Sequence, residues 1–190
     1  MSSTDLFGSN SVRRDATFAD AGSCRLTLTR DWGPGRTACM IGCNPSRAGR
    51  ASDDPTSLWW MRWGQALGFG RFVAVNLYPF ISSSPAECRT RAAWQENGPD
   101  WLARDLMQAN LDVVVREAKS ADMVIACWGA IAWDLEWAEH VIEAIQFGDE
   151  PWPDLYCFGR TAGGAPTHPM ARGKHRLPRD VEPKLWRAAR

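Results

Sequence analysis

An α/β fold with a mainly parallel central sheet covered by helices on both faces is what this sequence predicts, and three observations carry it. Short apolar runs alternate with longer segments of helical periodicity. The connections between runs are too long for hairpins, which implies crossover units. The runs at Thr37 to Cys43 and Met123 to Cys127 are nearly continuous in apolar residues, as strands buried on both sides are. The expectation is a three-layer α/β/α domain over residues 23–190, preceded by a polar N-terminal arm over residues 1–22.

In chain order, Cys24 to Thr29 alternates apolar and polar positions and reads as a half-buried strand, and Asp31 to Gly35 is a turn. The strand Thr37 to Cys43 stops at Asn44-Pro45-Ser46, and a loop rich in Arg and Asp follows. Ser57 to Leu67 fits a helix capped by Thr56 or Ser57 and ended by Gly68. Arg71 to Tyr78 is the next strand, closed by Pro79, and a Ser/Pro loop leads to a helical region from about Pro99 to Ser120 with a break near Asn110. Met123 to Cys127 is a strand, Ile131 to Phe147 an amphipathic helix, Leu155 to Phe158 a last short strand. A Gly-rich loop, 159–166, precedes Thr167-His168-Pro169, and a terminal helix is expected from about Asp180.

Composition narrows function. The 190 residues, 45% hydrophobic and 23% charged, suit one domain with a real core, and 22 cationic residues balance 22 anionic ones. Polyanion binding through net charge alone is excluded, so any such contact is a local patch. All the cationic residues except Lys119, Lys174 and Lys184 are Arg, which suits bidentate phosphate contacts. No apolar run reaches membrane-spanning length and Met1 to Asn10 has no signal core, so the expected location is cytoplasmic, with no membrane contact and no obligate protein partner evident. The six cysteines form no C-x-x-C pair and read as buried thiols, matching none of the iron–sulfur spacings. Phosphate-loop, dinucleotide, nucleophile-elbow and zinc-protease signatures are absent, and with three histidines no metal site is expected.

Polar residues gather instead where strands end. The run Ile41-Gly42-Cys43-Asn44-Pro45-Ser46, then Asp53-Asp54-Pro55-Thr56, Val75-Asn76-Leu77-Tyr78, Cys127-Trp128-Gly129 and His168-Pro169, resembles the bacterial and phage family DUF1643 over roughly residues 20–180. More distantly, the same ordered set is similar to the uracil-DNA glycosylase superfamily. That second resemblance implies a uracil-DNA glycosylase-like fold and a DNA glycosylase that flips out a nonstandard or modified pyrimidine. The enzyme would hydrolyse the N-glycosidic bond and leave an abasic site, in repair or anti-phage defence.

The resemblance also assigns roles, each with a structural rival. Asn44 matches the position that handles the attacking water, and its rival role is to cap the turn before Pro45. Asp53 or Asp54 would stabilise the sugar cation or take a proton, although Asp-Pro-Thr is also a good helix start. Asn76 matches the residue that reads a pyrimidine edge, where an amide offers a donor and an acceptor; a purely structural Asn after a buried strand is the alternative. His168 matches the histidine that donates to the base carbonyl. Met170 departs from the Ser or Thr usual after His-Pro, which puts one phosphate contact in doubt.

Uracil-selective members carry a bulky aromatic soon after the first motif, whereas this chain has Ser46, Arg47, Ala48 and Gly49, so the base pocket reads as open to a substituted pyrimidine. Trp59 and Trp60 could stack on a base, or belong to the core as helix tryptophans usually do. Arg47, Arg172, Lys174, His175 and Arg176 are the candidates for DNA phosphates, and a solvated face is the rival reading of the run from Arg172 to Arg179. No cofactor is needed, and no lysine sits in a matched motif, which argues for a monofunctional enzyme; Lys174 alone keeps a lyase reaction open. Two other readings are a noncatalytic nucleic-acid-binding module and a hydrolase of free modified nucleosides or nucleotides.

Overall fold

The computed structural model describes residues 12–97 and 101–189, and for 93–103 only the backbone of those described. Among the described residues seven strands form one mixed sheet: β1 (Arg13–Ala19), β2 (Cys24–Asp31), β3 (Arg36–Gly42), β4 (Phe69–Asn76), β5 (Met123–Ala126), β6 (Leu155–Cys157) and β7 (Lys184–Arg187). Their order is β1-β2-β4-β3-β5-β6-β7. The central pairings β4·β3, β3·β5 and β5·β6 are parallel, while β1·β2, β2·β4 and β6·β7 are antiparallel. The parallel expectation therefore holds for the middle four strands and fails at both edges.

Four α-helices accompany the sheet among the described residues: α1 (Pro55–Ala66), α2 (Pro85–Asn97), α3 (Trp101–Ser120) and α4 (Leu135–Gln146). The period of two along each strand sorts the core. Val73 and Val75 of β4, Cys39 and Ile41 of β3, and Val124 of β5 pack with Leu111 and Val114 of α3 and Val141 and Ile145 of α4. Their neighbours Phe72 and Ala74, Ala38 and Met40, and Ile125 pack with Trp60, Met61 and Trp63 of α1. All six cysteines are buried and free, as their apolar settings imply.

Four departures from the sequence reading have physical causes. Within the expected N-terminal arm, residues 13–19 form strand β1, an edge strand with five exposed positions that pairs with β2 and buries only Ala16 below one-tenth exposure; residues 1–11 lie outside the described part. At the C-terminus the chain forms the short strand β7 where a helix was expected, because Leu185 to Arg187 finds the free edge of β6. Helix α2 occupies part of the segment expected to be loop: Pro85 starts it, and of its described side chains only Cys88 and Ala92 are buried, too sparse an apolar stripe to read from sequence. Asn110 does not break α3, which runs through it. Its side chain is buried and donates to the carbonyl of Asn76 at 2.9 Å.

Candidate functional site

The parallel strands leave their polar punctuation along one rim. Chain order sends the connection after β3 to β4 on one side and the connection after β5 to β6 on the other, so a crevice opens between the C-terminal ends of β3 and β5, where ligands of open α/β sheets collect. A cavity of about 240 Å³ lies there, and Asn44, Ser46, Asp54, Trp60, Asn76 and His168 all line it. Residues 124 positions apart in sequence thus share one chamber.

Each is held by local chemistry. Gly42 pairs with Asn76 in the parallel register of β3 and β4. A Cβ at Gly42 would sit 2.7 Å from Asn76 Oδ1, so only glycine leaves the amide its place. Asn76 is 3% exposed, and its Nδ2 donates to nothing among the described residues. A buried amide without an acceptor is uncommon, and this one lies on the cavity wall. Asn44 is oriented from behind: its Nδ2 donates to the carbonyls of Ser82 at 2.8 Å and of Pro45 at 3.2 Å. With both amide hydrogens used, Oδ1 is left as the free acceptor. Ser82 also donates its backbone N–H to the Pro45 carbonyl, so the loops after β3 and β4 are tied to each other.

The two neighbouring aspartates separate completely. Asp53 is not in the cavity. Its oxygens accept from Arg30 Nε at 2.6 Å and Arg14 Nε at 3.0 Å, and Ser57 Oγ donates at 3.3 Å. Burial alone would raise its carboxyl, but the two guanidinium partners outweigh it and hold the group below its ordinary value. Asp53 is therefore an anchor for the loop, which corrects its assignment as a candidate catalytic group. Asp54 caps α1: Oδ1 accepts from Ser57 N at 2.8 Å while Ser57 Oγ accepts from Asp54 N at 3.0 Å, a capping box with Pro55 in the first turn. Such a cap stabilises a helix by about 1 kcal/mol. It uses one carboxylate oxygen, and the residue still lines the cavity, so cap and site role coexist.

His168 arrives on a hairpin-like loop closed by Thr161 N to Ala165 O and Thr167 N to Gly159 O. Gly129, with φ +76°, stands against it, and a Cβ there would come within 3.0 Å of His168 Cβ. The Trp128-Gly129 signal is thereby explained as the seat of the histidine. Met170 N donates to His168 Nδ1 at 3.1 Å, so in the neutral ring the proton is on Nε2. Burial lowers the imidazole's pKa, with the nearby Asp54 carboxylate opposing, and the ring is neutral at pH 7 with one N–H to donate.

Trp59 is the second correction. Adjacent helix positions diverge, and while Trp60 lines the cavity, Trp59 packs edge-on against Phe158 with centroids 5.0 Å apart. It lines a neighbouring groove of about 560 Å³ together with Arg62, Met170, Arg172, Arg176 and Arg179. His175 faces a third, more apolar hollow beside Ile131 and Trp133. Arg47 and Lys174 are exposed and line none of these three. Arg172, Lys174, Arg176 and Arg179 are exposed and form no ion pair among the described residues, unlike Arg13, Arg14, Arg30 and Arg187.

Sequence reasoning missed Arg25, Leu28, Ser82 and Ser83 of the cavity wall. The Ser/Pro loop after β4 was visible, but nothing in it pointed inward. Cys43 also lines the chamber, and burial pushes its thiol to about 12, so it is protonated and no nucleophile.

A seven-stranded mixed sheet with four helices, carrying a polar chamber at the C-terminal rim of its parallel strands, places the described residues in the mixed α/β class. Within that class the chain belongs to the family described as "Protein of unknown function (DUF1643)", whose model matches residues 25–170 and so takes in every cavity-lining residue named above. No curated protein and no solved structure matches the chain.

Proposed function

We propose that this protein is a cytoplasmic DNA glycosylase that flips out a nonstandard or modified pyrimidine and hydrolyses its N-glycosidic bond, on a uracil-DNA glycosylase-like three-layer scaffold. The single observation that carries the reading is the convergence of Asn44, Asp54, Asn76 and His168 on one small chamber. At about 240 Å³ it lies below the roughly 300–1,000 Å³ of sites that enclose a drug-sized ligand, which suits a single ring whose sugar and phosphates stay outside.

In the mechanism, the C1′–N bond breaks and its electron pair passes into the base. The Nε2–H of neutral His168 donates to the base carbonyl as negative charge grows there, and Asn76 offers its free Nδ2–H to the pairing edge. The Asp54 carboxylate faces the sugar cation. Asn44 Oδ1 accepts from the water that adds to C1′, and Asp54 takes the proton that water loses. The uncompensated Arg172, Arg176 and Arg179, with Arg62 beside them, favour flanking phosphates next to the chamber mouth. No step calls for a metal or organic cofactor.

The test is a product assay on duplex and single-stranded DNA carrying uracil, thymine mismatches, 5-hydroxymethylcytosine or its glucosylated form. Released base and abasic strand are both read by mass spectrometry. The expected result is abasic product from at least one modified DNA, and a fall of 10²–10⁴ in turnover for Asp54→Asn with circular dichroism unchanged. Binding to every DNA without abasic product would reject catalysis in favour of a binding module, and release from free nucleosides alone would reject DNA as substrate.

A further inference from the structure

The chamber wall farthest from His168 belongs to β2, a strand with no part in the motifs read from sequence. Its register against β1 runs Thr17↔Thr27 and then Phe18↔Arg25, which leaves Leu26 without a partner. This is a β-bulge, a device that bends a strand and re-aims the side chain beside it. Here Cys24 packs in the core under α3, while Arg25 joins Leu28 on the chamber wall.

Arg25 is 3% exposed. One terminal nitrogen donates to the Ala48 carbonyl at 2.7 Å, and its Nε–H is buried and donates to nothing among the described residues. Burial lowers the guanidinium to about 10, Asp54 opposing and Arg30 reinforcing, so it is cationic at neutral pH. Buried donors without acceptors are rare in native proteins; two of them, Arg25 Nε and Asn76 Nδ2, come from the paired strands β2 and β4 and line this one chamber. The sheet order β2-β4-β3-β5 fixes their sequence in space: Arg25, then Asn76, then Asn44, then Gly129 with His168 seated on it. A pyrimidine placed with its leaving-group carbonyl at His168 and its pairing edge at Asn76 points its outer edge toward Arg25.

Resting on the glycosylase reading above, we infer that Arg25 is a specificity residue, selecting pyrimidines whose outer edge carries an acceptor oxygen, most strongly a carboxylate, over those carrying a methyl group. A buried guanidinium rewards an oxygen and gains nothing from a methyl that displaces its water.

The experiment uses the full chain and otherwise identical oligonucleotides carrying one uracil with 5-methyl, 5-hydroxymethyl or 5-carboxyl. Wild type is expected to favour 5-carboxyl over 5-methyl by at least about 10-fold in kcat/KM, one well-made charged hydrogen bond. Arg25→Met, checked for folding by thermal melt, should bring that ratio close to one, and Arg25→Lys should retain part of it. A wild-type ratio at or below one overturns the Arg25 assignment and leaves the glycosylase reading standing. Absence of abasic product from any DNA overturns the glycosylase reading instead. In that event titration of the protein with free 5-carboxyuracil and thymine, followed by NMR, decides Arg25 separately: tighter 5-carboxyuracil binding that Arg25→Met abolishes upholds it, and equal binding overturns it. If Arg25→Met does not fold, the wild-type series alone decides, because it needs no variant.

Discussion

One short segment, His168 to Arg172, contributes its first residue to the chamber and the rest to the arginine groove, and the two are built on opposite principles. In the chamber, polar groups are fixed before any ligand arrives: Asn44 by Ser82, Asn76 by the absence of a side chain at Gly42, His168 by Gly129 and Met170. In the groove, Arg172, Arg176 and Arg179 stand exposed with no ion-pair partner among the described residues. Buried, oriented groups give discrimination, because a wrong ligand leaves them unpaired. Exposed cations give attraction that any phosphate satisfies and that salt weakens.

That contrast breaks first at Arg30. This side chain is fully buried and donates to Asp53, Gly49 O and Ser52 O of the loop between β3 and α1, and to Thr29 O on its own strand, so it ties three points of that loop to β2. Arg30→Met leaves Asp53 with Arg14 as its one cationic partner, beside the Ser57 hydroxyl, and should cost about 3–5 kcal/mol in urea denaturation. An effect under 1 kcal/mol would mean that the loop is held otherwise.

A smaller effect, confined to the chamber, comes from His168→Gln. Loss of a preorganised donor costs about 10²–10³ in turnover, while DNA affinity measured by gel shift stays within about 3-fold because the groove is untouched. The same histidine sets a pH limb. Its pKa is lowered on folding, so the unfolded chain binds more protons in the window below 6.5, and both stability and turnover should fall as pH drops through that window. In His168→Gln the stability part of this limb should vanish.

The smallest effect belongs to the groove. Arg172→Glu with Arg176→Glu should weaken DNA binding mildly at physiological salt and flatten the slope of log affinity against log salt by about 1 per charge removed, leaving kcat unchanged. A salt titration that superimposes on wild type would show that these arginines are merely solvated.

How far all this could be read from sequence follows the same division. Strands β2 to β6 were legible because their apolar runs answer to the core on each face, and Asn44, Asn76 and His168 because strand ends are where polar residues interrupt such runs. Edge strands β1 and β7 carry exposed positions on both faces and leave no such pattern. The choice between Asp53 and Asp54 was open in sequence; Arg30, 23 positions earlier, closes it through space. Arg25 was invisible for a sharper reason: in regular alternation it shares its face with Thr27, and only the unpaired Leu26 turns it.

The buried thiols supply an internal clock. Cys43 forms part of the chamber lining at 4% exposure with its proton firmly held, whereas Cys39 and Cys127 lie sealed within the sheet. An alkylating reagent can reach any of them only while the surrounding chain opens, so the rate at which each sulfur is modified records how often its own neighbourhood breathes. Occupancy of the chamber would slow Cys43 alone, turning a side chain with no chemistry of its own into a gauge of what the protein holds.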